Sequence, residues 1–186
     1  MIRRELTDAQ WRAHFQCVGR KSRLRISHHR LHHRARPPAC GRRKRGSEDE
    51  AIGRSRGGLS TKISVGVDAL GNPVRFILTG GQANDILQAE DLISGISFEH
   101  LLADKGYDAN WLRVRVAAVG AEAVIPSTRS RSQAIPYDKH IYQERNLVER
   151  FFNKIKHFRR IATRYEKTAI SFAAMLFLVG ATIWLR

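Results

Sequence analysis

The chain has 186 residues, 42 % of them hydrophobic, enough for one domain with a real core and a small appendage. Lys and Arg outnumber Asp and Glu by 33 to 17, a net charge of +16, which favours a polyanionic partner. Cys17 and Cys40 make no CxxC pair, which excludes a disulfide framework and a zinc knuckle and makes a reducing cytoplasm the expected compartment.

The opening "MIRRELTDAQW" is polar, so no secretory signal is expected. Residues 5–15 have helical spacing, with Thr7 or Asp8 as N-cap. From about 18 to 50 no helical or strand period is evident, and a disordered tract is expected. Ile63, Val65 and Val67 then alternate with polar or small neighbours, as do Val74, Phe76 and Leu78 after a turn at 68–73, which predicts a β-hairpin. "NDILQAEDLISG" predicts a helix ended by Gly95, with Asp85 a structural helix-start residue. "HLLAD" predicts a strand ending at Asp104, with Gly106 in the turn that follows. A helix to Gly120 and a strand to Pro126 come next. A polar loop, 127–138, leads to one long helix over about 140–158. The final apolar run, "ISFAAMLFLVGATIWLR", is shorter than the roughly 20 residues a spanning helix needs, so a buried helix and no membrane association are expected. The order β-β-α-β-α-β-α predicts an α/β fold with a mixed sheet.

The basic character is local. Eleven basic residues lie between Arg20 and Arg45, and without those eleven the rest of the chain carries +5. His28, His29, His32, His33 and Cys40 in the same tract offer metal-ligand types, but Pro37 and Pro38 break the helix such spacing wants. A true arginine-rich nucleic-acid arm is the other plain reading of the tract.

Two carboxylates stand out by placement: Asp104 where an apolar strand ends, and Glu149 on the long helix. At 100° per residue, Tyr142, Arg145, Glu149 and Lys156 share an arc of about 60°, opposite Val148, Phe151, Phe152 and Ile155. An ordinary amphipathic helix with an i,i+4 ion pair has the same look. The spacing Tyr142, Arg145, Glu149, Lys156 resembles the Y-R-E-K signature of bacterial insertion-sequence transposases of the DDE class. "GRSRGGLSTKI", "DALGNPVRFILTGGQANDI", "LLADKGYDA", "ERNLVERFFNKIKHFRRIATRYEK" and "IWLR" extend the resemblance over residues 51–186.

The resemblance implies an RNase H-like mixed sheet flanked by helices and a catalytic domain at 51–186. It also implies metal-dependent phosphodiester cleavage and strand transfer at element ends. Three carboxylates would hold two divalent cations, Mg²⁺ or Mn²⁺, which activate the attacking oxygen and stabilise the leaving one. Asp104 and Glu149 would be catalytic and metal-binding. Arg145, Lys156, Tyr142, Arg54 and Arg56 would contact DNA or phosphate. The partners implied are terminal inverted repeats, target DNA and a second copy of the chain, in a bacterial cytoplasm near the nucleoid. Two carboxylates serving one such centre must share an opening and lie within about 10 Å.

The resemblance also exposes two departures. Residues 1–17 look like the remnant of a longer N-terminal helical region. The first Asp, expected on a strand just before Ala51, is absent, and Asp68 stands in a hairpin turn. Read one nucleotide forward with suitable codons, the stretch from Arg20 to Gly46 becomes "ENPDFEYLIIDSTIVHAHQHAAGAKG", in which the codons of Arg30 and Leu31 span the missing Asp. The tract at 18–50 is therefore read as frameshifted, the first strand as lost, and this copy as catalytically impaired. The alternative is a non-catalytic DNA-binding remnant that interferes with the full-length enzyme.

Overall fold

The structure, a computed structural model, describes residues 23–32, 50–56, 58–166 and 168–185. The expected N-terminal helix at 5–15, both cysteines, and most of the tract at 18–50 lie outside the described residues.

The first strand is present, which corrects the expectation of its loss. β1 (Arg23–His32) lies at the centre of the sheet. It pairs antiparallel with β3 (Gly58–Val67) and parallel with β5 (His100–Ala103). Leu24 and Ile26, two residues apart, enter the core on one face, while Leu31 enters it on the other. A strand with neighbours on both sides has its backbone donors and acceptors satisfied, and that outweighs poor composition.

β2 (Gly53–Ser55) and β4 (Pro73–Gly80) both pair with the far side of β3, and β6 (Glu122–Val124) pairs parallel with β5. Reading across from β4, the order β4-β3-β1-β5-β6 with only β3 reversed is that of an RNase H-like sheet. The predicted hairpin stands as expected. Asp68 closes its turn by accepting from the backbone N–H of Leu70 and Asn72 at 2.9 and 2.8 Å, with Gly71 at φ +86°.

One face of the sheet packs on a 3-10 turn (Asp85–Gln88), α1 (Ala89–Ile93) and α2 (Asn110–Ala118), around Leu92, Leu101, Tyr107, Leu112 and Val116. Asp85 does open its turn. It also binds Lys62 Nζ at 2.5 Å and faces His28 Nε2 at 3.2 Å, tying the turn to β3 and β1. Burial is the main reason the His28 imidazole titrates below its usual range.

The other face packs on α4 (Asn146–Lys156), α5 (Arg159–Ala162) and α6 (Ala169–Trp184). Ile63, Val65 and Val67 meet Val148, Phe151, Phe172 and Leu176 there. Buried Arg164 joins the layers, donating to Thr61 Oγ1 and the Glu50 carbonyl at 2.6 Å each, with its guanidinium over Phe172. No helix among the described residues is long and apolar enough to cross a membrane.

The single helix expected over 140–158 is two: α3 (Lys139–Gln143) and α4, broken at Glu144 and Arg145. Neither Gly nor Pro causes the break. The Glu144 carbonyl accepts from Arg25 Nε at 2.9 Å and from the Leu147 N–H at 3.0 Å, so the turn tightens to i→i+3 bonding. The Glu144 carboxylate is paired with both Arg23 and Arg25. Partial burial works to raise its pKa, but the two guanidiniums outweigh that and hold it below the usual range. Glu144→Gln is therefore expected to cost about 2 kcal/mol in urea unfolding near neutral pH, because it strips the buried Arg25 of its counter-ion. That difference should fade as pH falls through the ordinary carboxylate range, where the wild-type group protonates on unfolding.

Candidate functional site

Ile26 and Ala103 are the last cross-strand pair of β1 and β5, so Ser27 and Asp104 leave the ladder side by side. Both face α4. Ser27 Oγ donates to Asp104 Oδ2 at 3.5 Å, and Tyr142 Oη donates to Asp104 Oδ1, also at 3.5 Å. Arg145, at the N-terminus of α4, reaches back over the sheet edge. One arm of its guanidinium pairs with Asp104 Oδ1 at 2.8 Å and the other with Glu149 Oε1 at 2.6 Å. The two sequence-predicted carboxylates thus share one cation and one cleft of about 380 Å³, lined also by Ser27, His28, His29, Phe152, Asn153 and Lys156.

Partial burial opposes the charge on Arg145, but Asp104, then Tyr142 and Glu149, outweigh it, and the guanidinium pKa is raised. Desolvation also raises the Tyr142 phenol, which Arg145 partly opposes and Asp104 reinforces. Lys156 lines the cleft as the sequence implied. Arg54 and Arg56 do not; they are exposed at and beside β2.

The loop that delivers α3 and α4 has an anchor that sequence reasoning missed. Asp108, its side chain out of contact with solvent, accepts from Arg113 Nε at 3.0 Å and from Arg131 Nε and Nη2 at 2.9 Å each. It also accepts from the Thr128 N–H at 2.8 Å. Burial alone would raise its pKa; the bonds from Arg131, Thr128 and Arg113 outweigh that and hold it at about 2. A lone acid in "GYDAN" carried no signal of this: Arg113 is near in sequence, but Arg131 and Thr128 come from a loop 20 or more residues away. Ser27 was missed for a different reason: its surroundings were read as out of frame.

The family whose description is Transposase DDE domain matches residues 34–184. The chain belongs to the DDE transposases of bacterial insertion sequences. It is 42 % identical over 130 residues to a Brucella ovis protein named as a transposase for insertion sequence element IS6501, covering 69 % of this chain and all of that one. A Burkholderia cepacia protein named as a transposase for element IS402 is 33 % identical over 128 residues, 62 % of this chain and 58 % of that relative. A looser likeness, with TM-score 0.39 and 14 % identity over 61 % of this chain and 24 % of the other, is to the piggyBac transposase solved in a synaptic complex with hairpin DNA.

Divalent cations are general to this transposase family, yet the described residues do not fit a two-cation centre. Among the described residues no group of three His, Cys, Asp or Glu side chains is placed to hold a metal. The side chain beside Asp104 on β1 is the Ser27 hydroxyl, a neutral group, and Arg145 already neutralises both acids. Two carboxylates are too few anionic ligands to fix two hard cations.

Proposed function

We propose that this chain is the catalytic domain of an insertion-sequence transposase whose Asp104–Glu149 cleft is the site that acts on DNA at element ends. In this copy cleavage and strand transfer are impaired. The observation that supports the reading is the convergence of Asp104, Glu149 and Arg145 on one cleft at the ends of the central strands, with the neutral Ser27 beside Asp104. Lys156 and the exposed Arg54 and Arg56 would contact the phosphate backbone, and the natural ligand is duplex DNA carrying the element's terminal repeats. The alternative, a DNA-binding remnant that interferes with a full-length enzyme, shares the interface and differs only in having no chemistry.

The test is incubation of purified chain with end-containing duplex and Mg²⁺ or Mn²⁺, followed by gel analysis of strand breaks. No cleavage above background is expected, while filter binding should show salt-dependent retention of the duplex. Lys156→Ala should reduce the slope of log affinity against log salt by about one unit. Nicking that Asp104→Asn abolishes would overturn the impaired reading; the absence of DNA binding at low salt would overturn the cleft as a DNA site.

A further inference from the structure

Glu144 and Arg145 are adjacent and point their charges in opposite directions. Glu144 is drawn to the two arginines at the start of β1, and its carbonyl is held by Arg25. That contact breaks the helix, and the break leaves Arg145 in helical backbone geometry at the N-cap of α4, with its side chain over the cleft. The planar fork of a guanidinium can satisfy two carboxylates at once, and here each arm takes one. The Arg145 side chain is 21 % exposed, while those of Asp104 and Glu149 are 33 % and 55 % exposed. The cation is thus the most enclosed member of the trio.

We infer that Arg145 is the resident cation of this cleft and shuts divalent metal ions out of it. The inference rests on the proposed identity of Asp104 and Glu149 as the site's acids, and on the neutral Ser27 beside them, which leaves the guanidinium as their counter-ion. A metal ion taking both carboxylates would have to displace the guanidinium or sit beside a like charge, with Lys156 adding a second positive group to the same lining. With Ser27 offering only a hydroxyl, no further anion compensates. The arginines of β1 set the trap, because by holding Glu144 they hold the junction that aims Arg145.

The experiment is Mn²⁺ binding to the full chain, followed by the loss of the free-ion electron paramagnetic resonance signal, with circular dichroism and thermal melting on every variant. The unmodified chain should show no saturable binding at millimolar Mn²⁺. Arg145→Gln should gain affinity by about tenfold or more, since two acids lose their counter-ion and stay side by side. Adding Asp104→Asn to that variant should remove the gain. Arg145→Lys, which keeps the charge but cannot fork, should bind with intermediate affinity, and it carries the test if the glutamine variant melts too low. Saturable Mn²⁺ binding by the unmodified chain, or folded Arg145 variants with no gain, would overturn the inference. Neither result depends on DNA cleavage, so a failure of the functional reading is seen separately in the strand-break assay.

Discussion

Asp108→Ala is expected to destabilise the fold by about 3 kcal/mol, the low end of the range for removing one partner of a buried ionic cluster. The cost comes from the groups left behind. Arg113 and Arg131 are 13 % and 18 % exposed, and each would keep its charge with no carboxylate to face. The Thr128 N–H would lose its acceptor as well. The damage should spread toward the cleft, because Arg131 and Thr128 lie in the loop that feeds α3. Hydrogen exchange should therefore show increased opening across 127–138 before α2 is affected. Asp108→Asn keeps the volume and one acceptor oxygen, and should lose about half as much. The wild-type chain carries a matching acid signature. Its Asp108 pKa is about 2, against an ordinary value of 3.8. Its contribution is therefore complete above about pH 5 and is lost progressively as pH falls through 4 toward 2. Acid unfolding of Asp108→Ala should lack that component; a parallel pH profile in the two proteins would show that the clasp contributes nothing.

Ser27→Asp is expected to convert a silent cleft into a metal-responsive one. Ser27 is buried, and its oxygen already stands at 3.5 Å from an Asp104 oxygen. A carboxylate there would crowd Asp104, and two such groups in one site cannot both ionise freely. Without a divalent cation the variant should lose about 2 kcal/mol at neutral pH. The penalty should disappear below about pH 4, where the introduced group is protonated in both folded and unfolded states. Mn²⁺ at about 100 times its dissociation constant should return about 2.7 kcal/mol. The melting temperature of the variant should therefore rise with Mn²⁺, while that of the parent stays flat. A variant as stable as its parent and indifferent to Mn²⁺ would show that position 27 does not face the acids. The codon offset gives a competing placement, at Arg30 and Leu31 further along the strand, and the same substitution scanned along β1 separates the two.

Much of the scaffold was legible from local pattern alone. The β3–β4 hairpin, the stop at Gly95 and the strand ending at Asp104 follow from periodicity and turn chemistry. So does the helix closed by Gly120, which adopts φ +75°. Each is marked by alternation or turn residues within a short stretch of chain, which a linear reading can see. The amphipathic pattern of α4 likewise showed which face is buried and placed Arg145, Glu149 and Lys156 together, because helical geometry converts spacing into direction. Three features were decided only in three dimensions. Arg23–His32 is a strand because β3 and β5 leave a central position whose backbone must be paired, although its composition argues for a charged arm. The helix after 138 is broken because Arg25, far away in sequence, takes the Glu144 carbonyl. Asp108 is an anchor because Arg131, 23 residues on, folds onto it beside the nearby Arg113. Outside β1 and the broken helix, local sequence thus determined which segments become elements and which acids lie at their ends. Tertiary packing decided what those acids meet, since a charge buried in a fold takes the partner that the topology delivers.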